Sequence, residues 1–173
     1  MSVRKLKKAV RDVPDFPKAG ILFKDITPIL KDPALFKSAV DLFVRRHRDK
    51  GITKVAAIDA RGFLFGAAIA YKLKAGVVPI RKKGKLPYSC HEESYDLEYG
   101  SATLAVHTDA FTAGDKVLLM DDLLATGGTA LASARLIERA GGKVEEIDFL
   151  IELSFLNGRQ KLAGYPIFAP IVF

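Results

Sequence analysis

The chain has a single cysteine among its 173 residues, Cys90, so no internal disulfide can form and nothing in the sequence depends on an oxidising compartment. Long apolar runs are missing too. The longest, Phe63 to Tyr71, falls far short of the roughly 18 residues a membrane span requires, and the amino terminus lacks the apolar core of a signal peptide. A membrane partner is therefore not expected, and the cytoplasm is the expected address. No internal repeat or low-complexity tract occurs. The three histidines, His47, His91 and His107, are spaced like no metal site and read as structural, with His47 near the solvent edge of its helix. Neither a Walker Gly-Lys-Ser/Thr nor a Gly-x-Gly-x-x-Gly dinucleotide pattern is found.

What is present is an ordinary globular composition, 49% hydrophobic and 27% charged. A chain of this size buries roughly 70% of its unfolded surface, so residues 1–173 are expected to form one domain. Acids are outnumbered, and the net charge of +7 could serve nucleic acid, an anionic membrane or a small polyanionic substrate. Two clusters carry the excess. Arg4-Lys5-Lys7-Lys8 overlaps a helical spacing of Leu6, Val10 and Val13 and reads as a solvated helix face. Arg81-Lys82-Lys83-Lys85 follows an apolar strand, and no interleaved aromatic platform accompanies it, which disfavours a nucleic-acid partner.

Periodicity gives a strand over Thr53–Ile58, a helix over Phe63–Lys74, and a strand over Val77–Ile80, where Pro79 points to a place near an edge. A strand over Lys116–Met120, a helix over Thr129–Ala140 closed by Gly141-Gly142, and a strand over Val144–Ile151 follow. Such alternation means an α/β fold: a mostly parallel central sheet flanked by helices. Leu35, Phe36, Ala39, Val40, Phe43 and Val44 mark one face of a helix over Pro33–Arg48. Between Arg81 and Gly100 lies a long polar stretch. It reads as a lid, with a long hairpin returning through Thr103–Val106 as the alternative.

The sharpest feature is "VLLMDDLLATGGT", residues 117–129. Asp121 and Asp122 follow a buried strand, and Ala125-Thr126-Gly127-Gly128-Thr129 opens a helix. Unpaired N–H groups at a helix start, approachable through glycine, suit a phosphate. Carboxylates so close cannot bind that phosphate, but they can accept hydrogen bonds from hydroxyls on the same molecule or orient a divalent cation. The combination points to a phosphorylated sugar with vicinal hydroxyls. In open parallel sheets, ligands sit beyond the carboxyl ends of the strands, where these acids and Asp59 fall.

This segment resembles the phosphoribosyl pyrophosphate (PRPP) motif of type I phosphoribosyltransferases, and the chain is most similar to the adenine phosphoribosyltransferases. "VPDFPKAGILFKDITPILKDP", "DARGFLFG", "IRKKGKLP", "LEYG" and "NGRQKLAGYP" extend the likeness over nearly the whole length. The resemblance implies that fold, with an amino-terminal hood over the base and a flexible lid loop. It also implies transfer of ribose 5-phosphate from PRPP to N9 of adenine, giving AMP and pyrophosphate in purine salvage, with Mg²⁺ as cofactor and a homodimer as the assembly. Residue by residue, it assigns the 5′-phosphate to Ala125, Thr126, Gly127, Gly128 and Thr129, and the ribose hydroxyls to Asp121 and Asp122. Pyrophosphate falls to Arg61, Arg81, Lys82 and Lys85, with Lys83 a solvated neighbour.

By the same resemblance Glu98 is the catalytic carboxylate, Tyr99 helps close the lid, and Leu22, Phe23 and Lys24 read adenine, Phe23 as an aromatic wall. Ala60 stands where the family has serine in a turn that often holds a cis peptide, so contacts there pass to the main chain. Lys24 stands where many members have arginine, and backbone readout tolerates that change. Cys90 has no base beside it except His91 and is not expected to be a nucleophile. Two rivals stay open: a phosphoribosyltransferase for another purine, and a silent regulator that binds PRPP or purines.

Overall fold

The computed structural model describes residues 2–96 and 101–173. These fall into two compact units, Met1–Phe43 and Val44–Phe173. The first opens with helix α1 (Val3–Ala9), whose Leu6 is buried while Arg4, Lys5, Lys7 and Lys8 face solvent. The solvated basic face is as expected, but the helix is shorter than the apolar spacing suggested. Val10 is already extended, and Val13 lies in strand β1 (Arg11–Pro14), which pairs antiparallel with β2 (Leu22–Asp25). A partner strand eight residues downstream of β1 supplies the hydrogen bonds that a third helical turn would have made. Two ion pairs on adjacent cross-strand positions hold one end of this ribbon: Arg11 to Asp25 at 2.5 Å, and Lys24 Nζ to Asp12 Oδ1 at 2.6 Å. Helices α2 (Thr27–Lys31) and α3 (Pro33–His47) follow, the latter with its last turn in the second unit.

The second unit is built on strands β3 (Lys54–Ile58), β4 (Gly76–Lys82), β5 (Cys90–Asp96), β6 (Ser101–His107), β7 (Lys116–Leu124), β8 (Lys143–Glu152), β9 (Ile167–Phe168) and β10 (Ile171–Val172). Their order is β10-β8-β7-β3-β4-β6-β5, with β9 also on β8, and pairing is parallel except along β4-β6-β5. This is the mostly parallel sheet that the alternating pattern predicts. Helices α4 (Gly62–Leu73), α5 (Gly128–Arg139) and the short α6 (Gly158–Lys161) complete it. Alternation along the strands supplies two apolar faces. Ala56, Ile58, Val117 and Leu119 join a core with Leu136 and Ile137 of α5, and Gly66 of α4 lies against Ala57 so closely that a Cβ there would sit 2.6 Å from that alanine's own.

Pro79 is compatible with an inner strand because β4 has one neighbour at that point. It pairs with Ala57 of β3, whereas pairing to β6 begins only at Arg81, so no second ladder needs the missing N–H. Within the stretch from Arg81 to Gly100, residues 90–96 form strand β5, held antiparallel to β6 from Cys90↔His107 to Asp96↔Ser101, which is the hairpin that the sequence offered as an alternative. Strand β7 likewise runs past the expected end at Met120, through both aspartates, to Leu124.

Candidate active site

The glycine loop begins where β7 leaves the sheet. Gly127 has φ +83° and is the residue before α5, and no side chain caps that helix. A Cβ at Gly127 would meet Gly158 O at 2.5 Å, and one at Gly158 would meet Ala125 O at 2.2 Å. The loop therefore rests on the backbone that opens α6. Arg159, the next residue, locks that support by donating from Nε and Nη2 to Glu152 at the end of β8, at 2.7 to 2.9 Å. The uncapped first-turn amides of α5 are left for an anion. Asp121, Ala125, Thr126, Gly127 and Thr129 line the recess they face.

A wider cleft adjoins it, about 800 Å³ including solvent at its mouth, lined by Asp59, Arg61, Lys82, Tyr95, Asp121, Asp122 and Thr129. Thr129 and Asp121 belong to both. Asp59 and Arg61 stand in the turn after β3, whose Asp59–Ala60 peptide is cis, and Arg61 Nε approaches Asp122 Oδ2 at 2.8 Å as an ion contact. The structure thus brings together the two aspartates, four residues of the loop, Arg61 and Lys82. Gly128 lines a neighbouring recess with Tyr95 and Leu131. Arg81 is held at the cleft edge by Asp59 Oδ2 at 3.1 Å and by Lys85 O at 3.0 Å, while the side chain of Lys85 is exposed in the following turn. Lys83 pairs with Glu92 at 2.7 Å. Glu98 and Tyr99 lie outside the described residues.

Electrostatics mark the acid pair. Asp121 is raised well above its ordinary 3.8, first by burial and then by the charge of Asp122, although the Asp122 N–H donates to Asp121 Oδ1 at 2.8 Å. Asp122 is also raised, by burial, against the pull of Arg61. Two adjacent carboxylates disfavouring their own ionisation are suited to a ligand that brings hydroxyl donors or a cation. In the first unit, Phe23 packs edge-on to Phe16 with ring centroids 5.1 Å apart, Lys24 is buried on Asp12, and Leu22 is half exposed. Periodicity alone would place Leu22 in a core; the two-stranded ribbon leaves it open. Cys90 keeps its thiol, raised by burial and by Glu92, which suits no nucleophilic role.

Two features escape a reading of the sequence. His47 is 1% exposed, not at a solvent edge: its Nε2 meets Asp148 Oδ2 at 2.6 Å and lies 3.9 Å from Glu146. Phe43, four residues earlier, is buried on the same helix, and that i, i+4 spacing is the signal that could have placed His47 inside. The three ligand-type side chains gather within 4.8 Å, unseen by spacing because the acids are about a hundred residues away. Arg46 and Lys50 already neutralise Glu146 at 2.5 and 2.6 Å, so the cluster joins the end of α3 to β8 as a salt-bridge network. Tyr95 is the second. Its only sequence signal is a period of two with Glu93 along β5, and its hydroxyl accepts a hydrogen bond from Thr129 Oγ1 at 3.1 Å.

Comparison with known proteins agrees with this geometry. A family model described as phosphoribosyl transferase domain matches residues 25–153. An adenine phosphoribosyltransferase of Thermosipho melanesiensis is 52% identical over 97% of this chain and 96% of its own. The crystal structure of adenine phosphoribosyltransferase from Thermoanaerobacter pseudethanolicus superposes with TM-score 0.96 at 49% identity, covering 99% of this chain and all of that one. The Saccharomyces cerevisiae enzyme, solved with an imino-altritol bisphosphate and adenine, gives 0.94 at 39% identity over 98% of both chains. The chain belongs to the phosphoribosyl transferase domain family and, within it, to the adenine phosphoribosyltransferases.

Proposed function

We propose that the recess and the cleft hold PRPP and that the chain transfers its 5-phosphoribosyl group to N9 of adenine, giving AMP and pyrophosphate in purine salvage. One observation carries the reading: an uncapped helix start and two carboxylates that resist ionisation line adjoining spaces, with Thr129 and Asp121 common to both. A phosphate on the loop amides of residues 125–129 puts the ribose diol of the same molecule toward Asp121 and Asp122. Pyrophosphate then falls toward Arg61, Arg81, Lys82 and Lys85, whose charges stabilise the leaving group as it departs. Its bond to C1′ breaks as N9 of adenine bonds to that carbon, and Glu98 takes the N9 proton. Tyr99 helps close the site. Leu22 and Lys24 read the adenine edge through main-chain groups, with Phe23 as the wall.

The donor set near the sugar is all oxygen and carries excess negative charge, which fits Mg²⁺, with Asp121 and Asp122 as the holding residues, directly or through water. The ion supplies charge neutralisation and a template for the phosphate oxygens. Residues 1–173 work as a single phosphoribosyltransferase domain in the cytoplasm, and two copies associate. Leu64, Ala67 and Tyr71 form an exposed stripe along α4, Tyr71 at 82% exposure, and such a helical apolar stripe supports the homodimer. The test is a panel of free bases with PRPP and Mg²⁺: AMP formation from adenine is expected, and turnover of a 6-oxopurine without adenine would assign the site to another base.

A further inference from the structure

The β5–β6 hairpin is tied to α5 at two places. Away from residues 97–100 the tie is ionic: Glu93 takes Arg139 at 2.5 Å and Arg135 at 3.5 Å, and Arg139 Nη1 donates to Glu92 O at 2.7 Å. Two residues on, along the same face of the strand, Tyr95 reaches the first turn of α5. Its ring packs against the core, and its hydroxyl accepts from Thr129 Oγ1. Packing alone accounts for the ring. The hydroxyl contact has a different consequence, because Thr129 lines both the anion recess and the wider cleft, whereas Tyr95 lines the cleft and not the anion recess.

Two hydroxyls facing one another carry two protons and use one in their mutual bond. The second can be given to an anion. When an anion sits on the loop, rotation of both groups reverses the bond: the phenol, the stronger acid, donates to Thr129 Oγ1, and Thr129 donates onward to the anion. Each bond in such a chain polarises the next. We propose that Tyr95 is a positioning residue for the 5′-phosphate, acting through Thr129, and that this bond couples an occupied loop to the strand leading into residues 97–100. The inference rests on the PRPP reading above and names a residue that reading does not use.

Tyr95→Phe removes the hydroxyl and keeps the ring. Calorimetric titration in Mg²⁺ buffer compares ribose 5-phosphate, which carries the monoester and the diol, with inorganic pyrophosphate, which carries neither. The expected result is a loss of about tenfold for ribose 5-phosphate, ~1.4 kcal/mol, with pyrophosphate affinity and thermal midpoint unchanged. Steady-state assays should raise KM for PRPP and leave KM for adenine alone. Thr129→Val probes the same bond from its other end, and the double variant should bind ribose 5-phosphate no more weakly than Thr129→Val by itself. Unchanged ribose 5-phosphate affinity in Tyr95→Phe overturns the proposal, as does an equal loss for both ligands or strict additivity in the double variant. Failure of the unsubstituted protein to bind ribose 5-phosphate would instead remove the PRPP reading itself.

Discussion

In the proposed function Asp121 and Asp122 serve a ligand at the expense of the fold. Asp121 is raised above 3.8 by burial and by its neighbour, so its folded value exceeds its unfolded one. The favourable contribution of such a group is complete below 3.8 and is lost as pH rises through the raised folded value, so at neutral pH its ionisation opposes folding. Asp121→Asn should therefore raise the thermal midpoint at neutral pH by a few degrees, given about 2–4 °C per kcal/mol for a domain of this size. The gain should shrink as pH falls toward 3.8. Scanning calorimetry across that range checks it, and a variant that melts lower at neutral pH would contradict the account. Substitutions at the site should also separate roles. Asp122→Asn should weaken PRPP binding about tenfold or more, because it loses a charged hydrogen-bond acceptor. Glu98→Gln should cut kcat about a hundredfold or more with PRPP affinity nearly unchanged, as the loss of a proton acceptor requires; equal kcat would remove Glu98 from that role.

Among elements, the smallest helix supports the glycine loop. Gly158 of α6 supports Ala125 from below with no space for a side chain, and Arg159 fixes the helix to Glu152. Gly158→Ala forces a carbon to 2.2 Å from a carbonyl oxygen, and backbone on both sides must move. Overpacking of that kind costs about 1–3 kcal/mol. A lower denaturation midpoint is expected together with a raised KM for PRPP, since the displaced segment is the loop itself. A variant that loses stability while keeping wild-type KM would show that the loop does not depend on α6. The charge network of Arg46, Lys50, Glu146, His47 and Asp148 plays a comparable part at the other end of β8, where burial would raise Glu146 but Arg46 and Lys50 hold it below its ordinary range.

At the scale of the molecule, the +7 charge and the open stripe on α4 concern association. Basic charge around a cleft raises the local concentration of a polyanion and is screened within about 8 Å at physiological salt. In the proposed homodimer the stripe faces a second copy. Tyr71→Asp places a charge at its carboxyl end, so sedimentation equilibrium should show a dimer for the unsubstituted chain and a shift to monomer of at least tenfold in dissociation constant for the variant. An unsubstituted chain that sediments as a monomer at micromolar concentration would sink the homodimer reading. No helix among the described residues is long and apolar enough to cross a membrane.

Local pattern determined a great deal. The strands around Val55, Leu118 and Ile147 and the helices around Phe65 and Leu136 follow from apolar spacing, and residue type alone in the segment from Asp121 to Thr129 carries the proposal of a phosphate beside a diol. Those features are written in neighbours a few positions apart, where side-chain period and helix-end chemistry act directly. Tertiary structure decided the rest: that β1 and not a longer α1 takes Val13, that Cys90–Asp96 is a strand, that His47 is inside on Asp148, and that Tyr95 touches Thr129. Each of these depends on a partner brought back by a turn or a longer loop, as far as 101 residues away for His47 and Asp148, and the free energy of such a contact appears only when folding has closed the loop between them.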